Sequence, residues 1–180
     1  MNTFSFKQTQ GGFTLLEMVI VIAMIGYLGT IVLDRLWKYR VYAEEAAVTA
    51  TVGNIRSALG LEVAKLAVRG NAEKIALLQN TNPILLLAQK PHNYLGEFKG
   101  YQTIETTGVW YFDTMDSSLN YIVAYPENFI SNIIGTKRTR HQLSVIFADN
   151  NKNKRYDKGI DNINGLDLVA KEPYRWLIEK

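Results

Sequence analysis

The sequence predicts an α+β protein: a long N-terminal helix, membrane-spanning in its first half, packed along its second half against a small antiparallel β-sheet. Three observations predict it. From Phe13 to Leu33 the chain is apolar around a single carboxylate, Glu17, and about 20 such residues cross a bilayer as a helix. Trp37, Val41, Val48, Val52, Ile55, Leu59, Val63 and Leu66 then recur at spacings of three, four or seven, the stripe of an amphipathic helix with one buried face. After Gly100 the period changes to two, with aromatic and β-branched runs separated by turn residues. A sheet laid on the stripe buries both apolar faces.

Taken in order, one helix reads from Phe13 to Val68, with 13–33 as the membrane-spanning segment and 34–69 as its amphipathic continuation. Arg69-Gly70-Asn71 ends it, a positive last turn followed by a glycine stop. Glu44, Glu45, Asn54, Arg56, Glu62, Lys65 and Arg69 fall mostly outside the stripe. Gly26, Gly29, Gly53 and Gly60 interrupt the helix, and small residues let helices approach closely in membranes. Residues 70–180 form the head. A short helix spans Ala72–Gln79; Asn82 then caps a second with Pro83 in its first position, and Ile84–Gln89 gives one or two turns. Pro91–Gly96 reads as a loop. Strands follow at Val109–Asp113, Leu119–Tyr125 and Leu143–Ala148, with Asp113–Ser118 as a hairpin connection and a weaker fourth strand near Leu166–Val169. Tyr121, Val123 and Tyr125 share one face, as do Leu143, Val145 and Phe147. Trp110, Tyr111 and Phe112 suit a core strand better than a carbohydrate platform.

Composition narrows the function classes. With 47% hydrophobic residues, 180 residues make one modest domain and its helix. The net charge of +3 falls by one, to +2, if a leader containing Lys7 and no acid is removed, too little for a nucleic-acid surface. With no cysteine there is no disulfide, zinc-thiolate site or cysteine nucleophile. A glycine-rich phosphate loop, a G-x-S-x-G elbow and an H-E-x-x-H pair are all missing. No motif for catalysis is present, and the chain does not read as an enzyme.

Glu17 carries most of the functional information. An ionisable group in a spanning helix costs roughly 2.5–3.5 kcal/mol on insertion scales and calls for a partner. Cleavage after Gly12 would create an α-amino group four residues from Glu17, about 6 Å along a helix. That cation can neutralise the carboxylate of a neighbouring copy. Gly11-Gly12-Phe13-Thr14-Leu15-Leu16-Glu17, opening the run to Leu33, resembles the type IV prepilin signature shared by pilins and the pseudopilins of type II secretion. The resemblance implies a leader of residues 1–12, cut between Gly12 and Phe13 by a prepilin peptidase that also N-methylates Phe13. It implies that Glu17 pairs with the methylated amine of an adjoining subunit and sets axial register. A cytoplasmic leader, a single inner-membrane pass, a periplasmic head and assembly with other pilin or pseudopilin subunits into a filament follow from it. Asn82–Leu87, Asn93–Gly96, Trp110–Asp113 and Leu119–Tyr121 are similar to head regions of minor pilins and mannose-sensitive-haemagglutinin-type biogenesis proteins.

Rival readings of this terminus remain. An ordinary signal peptide has a shorter apolar region and an A-x-A-like exit site, and this run ends instead at Asp34-Arg35. A lipoprotein signal needs a cysteine. An uncleaved signal anchor carrying a periplasmic binding module that never polymerises is the alternative of a different class. Lys/Arg bias gives no orientation, since Lys7 precedes the span and Arg35, Lys38 and Arg40 follow it among Asp34, Glu44 and Glu45.

One loop is a candidate for calcium. Asp149, Asn151, Asn153 and Asp157 occupy relative positions 1, 3, 5 and 9 of a calcium loop, with Asp161 further on. Lys154 stands where glycine is expected, no glutamate ends the loop, and Lys152, Lys154, Arg155 and Lys158 repel a cation. An Asx-rich turn, its side chains bonded to its own backbone, is the competing reading. Thr136–His141 reads as a solvated basic loop without the aromatics that single strands stack on. His92 and His141 lack a second histidine at ligand spacing.

Overall fold

A computed structural model of the chain describes residues 12–100 and 104–177, without the side chain of Asp34. The leader read at residues 1–12 therefore lies, apart from Gly12, outside the described residues. The chain divides into two units, residues 1–40 and 41–180. The helix α1 runs Leu15–Val68 and contributes to both.

In the first unit the large apolar side chains of α1, from Leu15 to Leu33, are exposed. Trp37 is exposed too, at 60%, with the Arg40 guanidinium 4.4 Å from its ring centre. It is therefore not part of the buried stripe, which begins at Val41.

In the second unit Val41, Val48, Val52, Ile55 and Leu59 are buried, with Val63 and Leu66 half-buried behind them. Ile55 and Leu59 are wholly enclosed; truncating either to alanine costs about 2–5 kcal/mol. The helix stops through two backbone bonds, from the Asn71 N–H to the Leu66 carbonyl and from the Gly70 N–H to the Ala67 carbonyl. Gly70 sits at φ +68°, the left-handed conformation this end requires and glycine adopts freely. A 3-10 segment Ala72–Asn80 follows and packs against the sheet. A second, Pro83–Leu86, starts where the Asn82 side chain accepts from the Ile84 N–H, and the turn stops sooner than the Gln89 expected.

The strands are β1 (Tyr94–Phe98), β2 (Val109–Asp113), β3 (Ser118–Ile122), β4 (Phe129–Ser131), β5 (Arg138–Ala148), β6 (Asn162–Ala170) and β7 (Tyr174–Trp176). Five form one sheet in the order β1-β2-β3-β5-β6, and β4 pairs with β7 in a two-stranded sheet. The predicted hairpin is β2–β3, in register Val109↔Ile122 through Asp113↔Ser118. Trp110, Phe112, Leu119, Tyr121, Val123, Leu143, Val145 and Leu168 join the α1 stripe in one core. On the opposite face Val109, Tyr111 and Ile122 pack with Phe98 and Ile104. Trp110–Phe112 is therefore a core strand buried on both sides.

Three expectations are corrected. The sheet is not wholly antiparallel: β1, in a segment read as loop, pairs parallel with β2. Its Gly96 takes φ +115° at a register irregularity, which breaks the alternation that marks a strand. Thr136–His141 is not a solvated loop, because β5 begins at Arg138 and buries Arg138, Thr139 and His141. Finally β3 ends at Ile122 rather than Tyr125: the Val123 N–H still bonds the Lys137 carbonyl, but those of Ala124 and Tyr125 are claimed by a glutamate of α1.

Candidate assembly site

Gly12, Phe13 and Thr14 precede the first helical turn. The helix was expected to open at Phe13; it opens at Leu15 because Thr14 caps it. The Thr14 hydroxyl accepts the Glu17 N–H at 3.2 Å, and the Thr14 carbonyl accepts the Met18 N–H at 3.2 Å. Thr14-x-x-Glu17 is the spacing of a capping box, a local signal in the sequence that the lone charge of Glu17 masks. Glu17 lies in the first turn, exposed, where the positive end of the helix dipole favours a carboxylate. Around it Phe13, Leu15, Leu16, Met18, Val19 and Ile20 are each at least half exposed. Gly12–Phe13 is an exposed, non-helical peptide bond with the Glu17 carboxylate about one turn downstream.

A second glutamate does structural work that the sequence concealed. Glu44, expected off the stripe, is 7% exposed. Its Oε1 accepts the Tyr121 hydroxyl at 3.0 Å and the Ala124 N–H at 2.5 Å, and its Oε2 accepts the Tyr125 N–H at 3.2 Å. Burial raises its carboxyl above the ordinary range, opposed by those three hydrogen bonds; Glu127 adds to the rise. The same burial, with the nearby carboxylate, raises the Tyr121 hydroxyl. The clue was the seven-residue gap between Val41 and Val48, where a stripe member was missing.

The β5 residues form two further clusters. His141 is buried with Nε2 3.3 Å from the Tyr174 hydroxyl and its ring 6.2 Å from that of Trp110. Burial, helped by the Arg56 charge, lowers it to about 4, so it is a neutral core residue at physiological pH. Arg140 reaches Asp116 at 2.6 Å and Glu172 at 3.3 Å, and Lys171 reaches Asp116 at 3.0 Å. Burial works against ionising Asp116, but the Ser118 hydroxyl, Lys171 and Arg140 outweigh it and hold the carboxyl below its usual range. His92 stays exposed in the turn before β1.

All five residues proposed for calcium share one hydrogen-bonded loop. Asp149 accepts the Asn153 and Lys154 N–H groups, and Asp161 those of Asn150 and Asp157. Asn151 and Asn153 direct their oxygens to the Asn153 and Arg155 N–H groups. Their amide hydrogens, not their oxygens, therefore point to Asp157, at 2.7 and 2.5 Å. Those two donors lower the Asp157 carboxyl. Lys152 and Lys154 take φ +60° and +62°, so the loop turns left-handed without the expected glycine. Among the described residues no three His, Cys, Asp or Glu side chains are grouped to hold a metal ion.

Residues 7–33 match the family described as the prokaryotic N-terminal methylation motif. Comparison with curated proteins and with solved structures gave no match. Among the described residues α1 is the one helix long and apolar enough to cross a membrane. The matched segment ends at Leu33, where the exposed apolar run ends, and it contains Gly12, Phe13, the Thr14 cap and Glu17. This chain carries the N-terminal methylation motif of the type IV pilin-like and pseudopilin precursors, on an α+β protein whose long helix packs with a small, mostly antiparallel sheet.

Proposed function

We propose that this chain is a structural subunit, of the minor kind, of a type IV pilus or type II secretion pseudopilus, and not an enzyme. The observation that carries the reading is a lone exposed carboxylate, Glu17, beside a capped helix start and an exposed peptide bond, inside a matched methylation motif. Prepilin peptidase cuts between Gly12 and Phe13 and methylates the Phe13 amine. Glu17 pairs with that amine on an adjoining subunit, and the apolar face from Phe13 to Leu33 moves from the inner membrane to the filament interior while the head stays periplasmic. A buried pair of this kind adds little net stability, but an unpaired partner costs several kcal/mol, so it enforces register. Intact-mass and N-terminal fragment analysis of the protein from its native membrane tests this: a chain starting at methyl-Phe13 supports it. A chain keeping Met1–Gly12 in cells with active peptidase supports the signal-anchored binding module instead. Recovery in sheared surface fibres marks a pilus subunit, and loss of exoprotein release on deletion marks a pseudopilin.

For the loop Asp149–Asp161 we infer a self-bonded Asx turn, supported by the amide hydrogens of Asn151 and Asn153 facing Asp157. Calorimetric titration with calcium tests it. Saturable binding abolished by Asp149→Ala would replace this reading with a calcium site, for which Asn151 and Asn153 must turn their oxygens inward.

A further inference from the structure

Between Leu33, where the exposed apolar run of α1 ends, and Val41, where burial begins, lies a short segment of different character. It reads Asp34-Arg35-Leu36-Trp37-Lys38-Tyr39-Arg40, three cations against one acid. Every side chain from Arg35 to Arg40 is exposed, Trp37 and Tyr39 both at 60%. Leu36, Trp37 and Tyr39 thus prolong a contiguous uncovered apolar surface, and such surfaces mark interaction sites.

The arrangement around the helix identifies the partner. At about 3.6 residues per turn, side chains two apart project to nearly opposite sides, whereas those three or four apart share one. Trp37 and Tyr39 therefore face opposite ways. Trp37 shares its side with Arg40, whose guanidinium carbon lies 4.4 Å from the ring centre. Tyr39 shares its side with Arg35, and Lys38 projects between the two sides. Each side of the helix carries an aromatic ring and an arginine, a collar and not a stripe. A protein groove meets one face of a helix; a lipid layer surrounds it and meets all of them.

The lengths agree. From Leu15 to Leu33 the helix rises about 27 Å, close to the hydrocarbon thickness of about 30 Å. Arg35 to Arg40 adds about 8 Å, and the polar headgroup layer on each side takes about 5–8 Å. Indole and phenol rings settle at that level, and its phosphates are the planar acceptors that arginine matches with paired N–H donors.

We propose that Arg35–Arg40 is a collar that binds the phosphates of anionic phospholipids, in the leaflet at that end of the span, and fixes how deeply α1 sits in the membrane before any assembly. The collar requires residues 13–33 to span the bilayer, as read under the proposed function.

The test uses the full chain in phosphatidylcholine vesicles carrying spin-labelled phosphatidylglycerol or spin-labelled phosphatidylcholine, for wild type and Arg35→Gln/Lys38→Gln/Arg40→Gln. Retention through an alkaline carbonate wash is scored first, and electron spin resonance then counts labelled lipid held at the protein. Wild type should hold the anionic label about fivefold better than the neutral one, one cation's worth of attraction. Added inorganic phosphate should not compete. The glutamine variant, equally retained, should show no preference. Trp37 fluorescence should be quenched more by a headgroup label than by a mid-chain one, with Trp37→Phe as the blank for the buried Trp110 and Trp176. No preference in wild type, equal preference in both proteins, or strongest quenching of Trp37 from the bilayer centre would overturn the collar while the span stands. Displacement of the label by inorganic phosphate would overturn it too, by reducing the site to a free-anion site. Removal of wild type by carbonate would overturn the spanning reading, and the collar with it.

Discussion

Replacing Glu44 with alanine removes the acceptor of the Tyr121 hydroxyl and of the Ala124 and Tyr125 N–H groups in one step. The buried Tyr121 hydroxyl can still turn about its C–O bond, but the two amides are fixed by backbone. Each amide left unsatisfied costs about 1–3 kcal/mol. Both residues are half-buried, so water reaches them in part and the lower half of that range applies. Relief of the buried carboxylate offsets some of the loss, which leaves a net destabilisation of about 2–3 kcal/mol. Against total stabilities of about 5–15 kcal/mol this is a large fraction. Glu44→Gln keeps one acceptor but turns an amide donor toward an N–H, and loses about half as much. The assay is urea unfolding of the full chain in detergent, followed by fluorescence of the buried Trp110 and Trp176. The midpoint should fall with the slope unchanged. The sign with pH follows from the raised carboxyl: its contribution is full below the ordinary value of 4.5 and is lost as pH rises through the folded value. The wild-type advantage over Glu44→Gln therefore shrinks as pH rises above that point. A loss below about 0.5 kcal/mol in Glu44→Ala, the size of an ordinary surface change, would refute the clamp.

Two other perturbations have clear signs. Thr14→Ala removes the cap of α1 and should cost about 1 kcal/mol at that terminus while Thr14→Ser restores it; amide exchange at Glu17, faster in the alanine variant alone, is the measurement. His141 is buried neutral, lowered from 6.5 to about 4, so the unfolded chain binds its proton first and stability falls as pH drops through that window. The full loss is about 3 kcal/mol, and His141→Gln should flatten it in unfolding midpoints taken between those two values; a slope that survives the substitution would assign the acid sensitivity elsewhere.

The elements legible in the sequence were those written in local pattern. The end of α1 at Val68, the Asn82 cap and the hairpin Val109–Ile122 were visible because periodicity and turn chemistry act over a few residues. What escaped notice was made by partners distant in the chain. Arg138, Thr139 and His141 look like surface, and they are strand because β3 pairs with them across Leu119–Ile122. Tyr94–Phe98 becomes a strand only by lying parallel to β2. Phe129–Ser131 and Tyr174–Trp176 are too short to announce themselves before they meet. At the N-terminus the apolar run, Gly12-Phe13 and Glu17 are legible, whereas the Thr14 cap is masked by the more conspicuous charge. Glu44 was misplaced because a buried acid breaks the apolar rule that defines the stripe.

The clamp on Glu44 has a consequence for how the protein is made. Glu44 and Tyr121 lie 77 positions apart in the chain, so the helix leaves the ribosome well before the residues that complete its buried face. Contacts of such separation close late and fold slowly. For that interval Val41, Val48, Val52, Ile55 and Leu59 form an uncovered apolar ridge on a newly made helix, the kind of surface that chaperones hold and that aggregates otherwise. Synthesis therefore passes through a vulnerable stage that starts to close when Leu119–Tyr125 emerges and ends only after Leu143, Val145 and Leu168 follow. Slower translation between Leu59 and Leu168 is expected to lengthen that stage, and soluble yield across a series of synonymous codons in the stretch measures its weight.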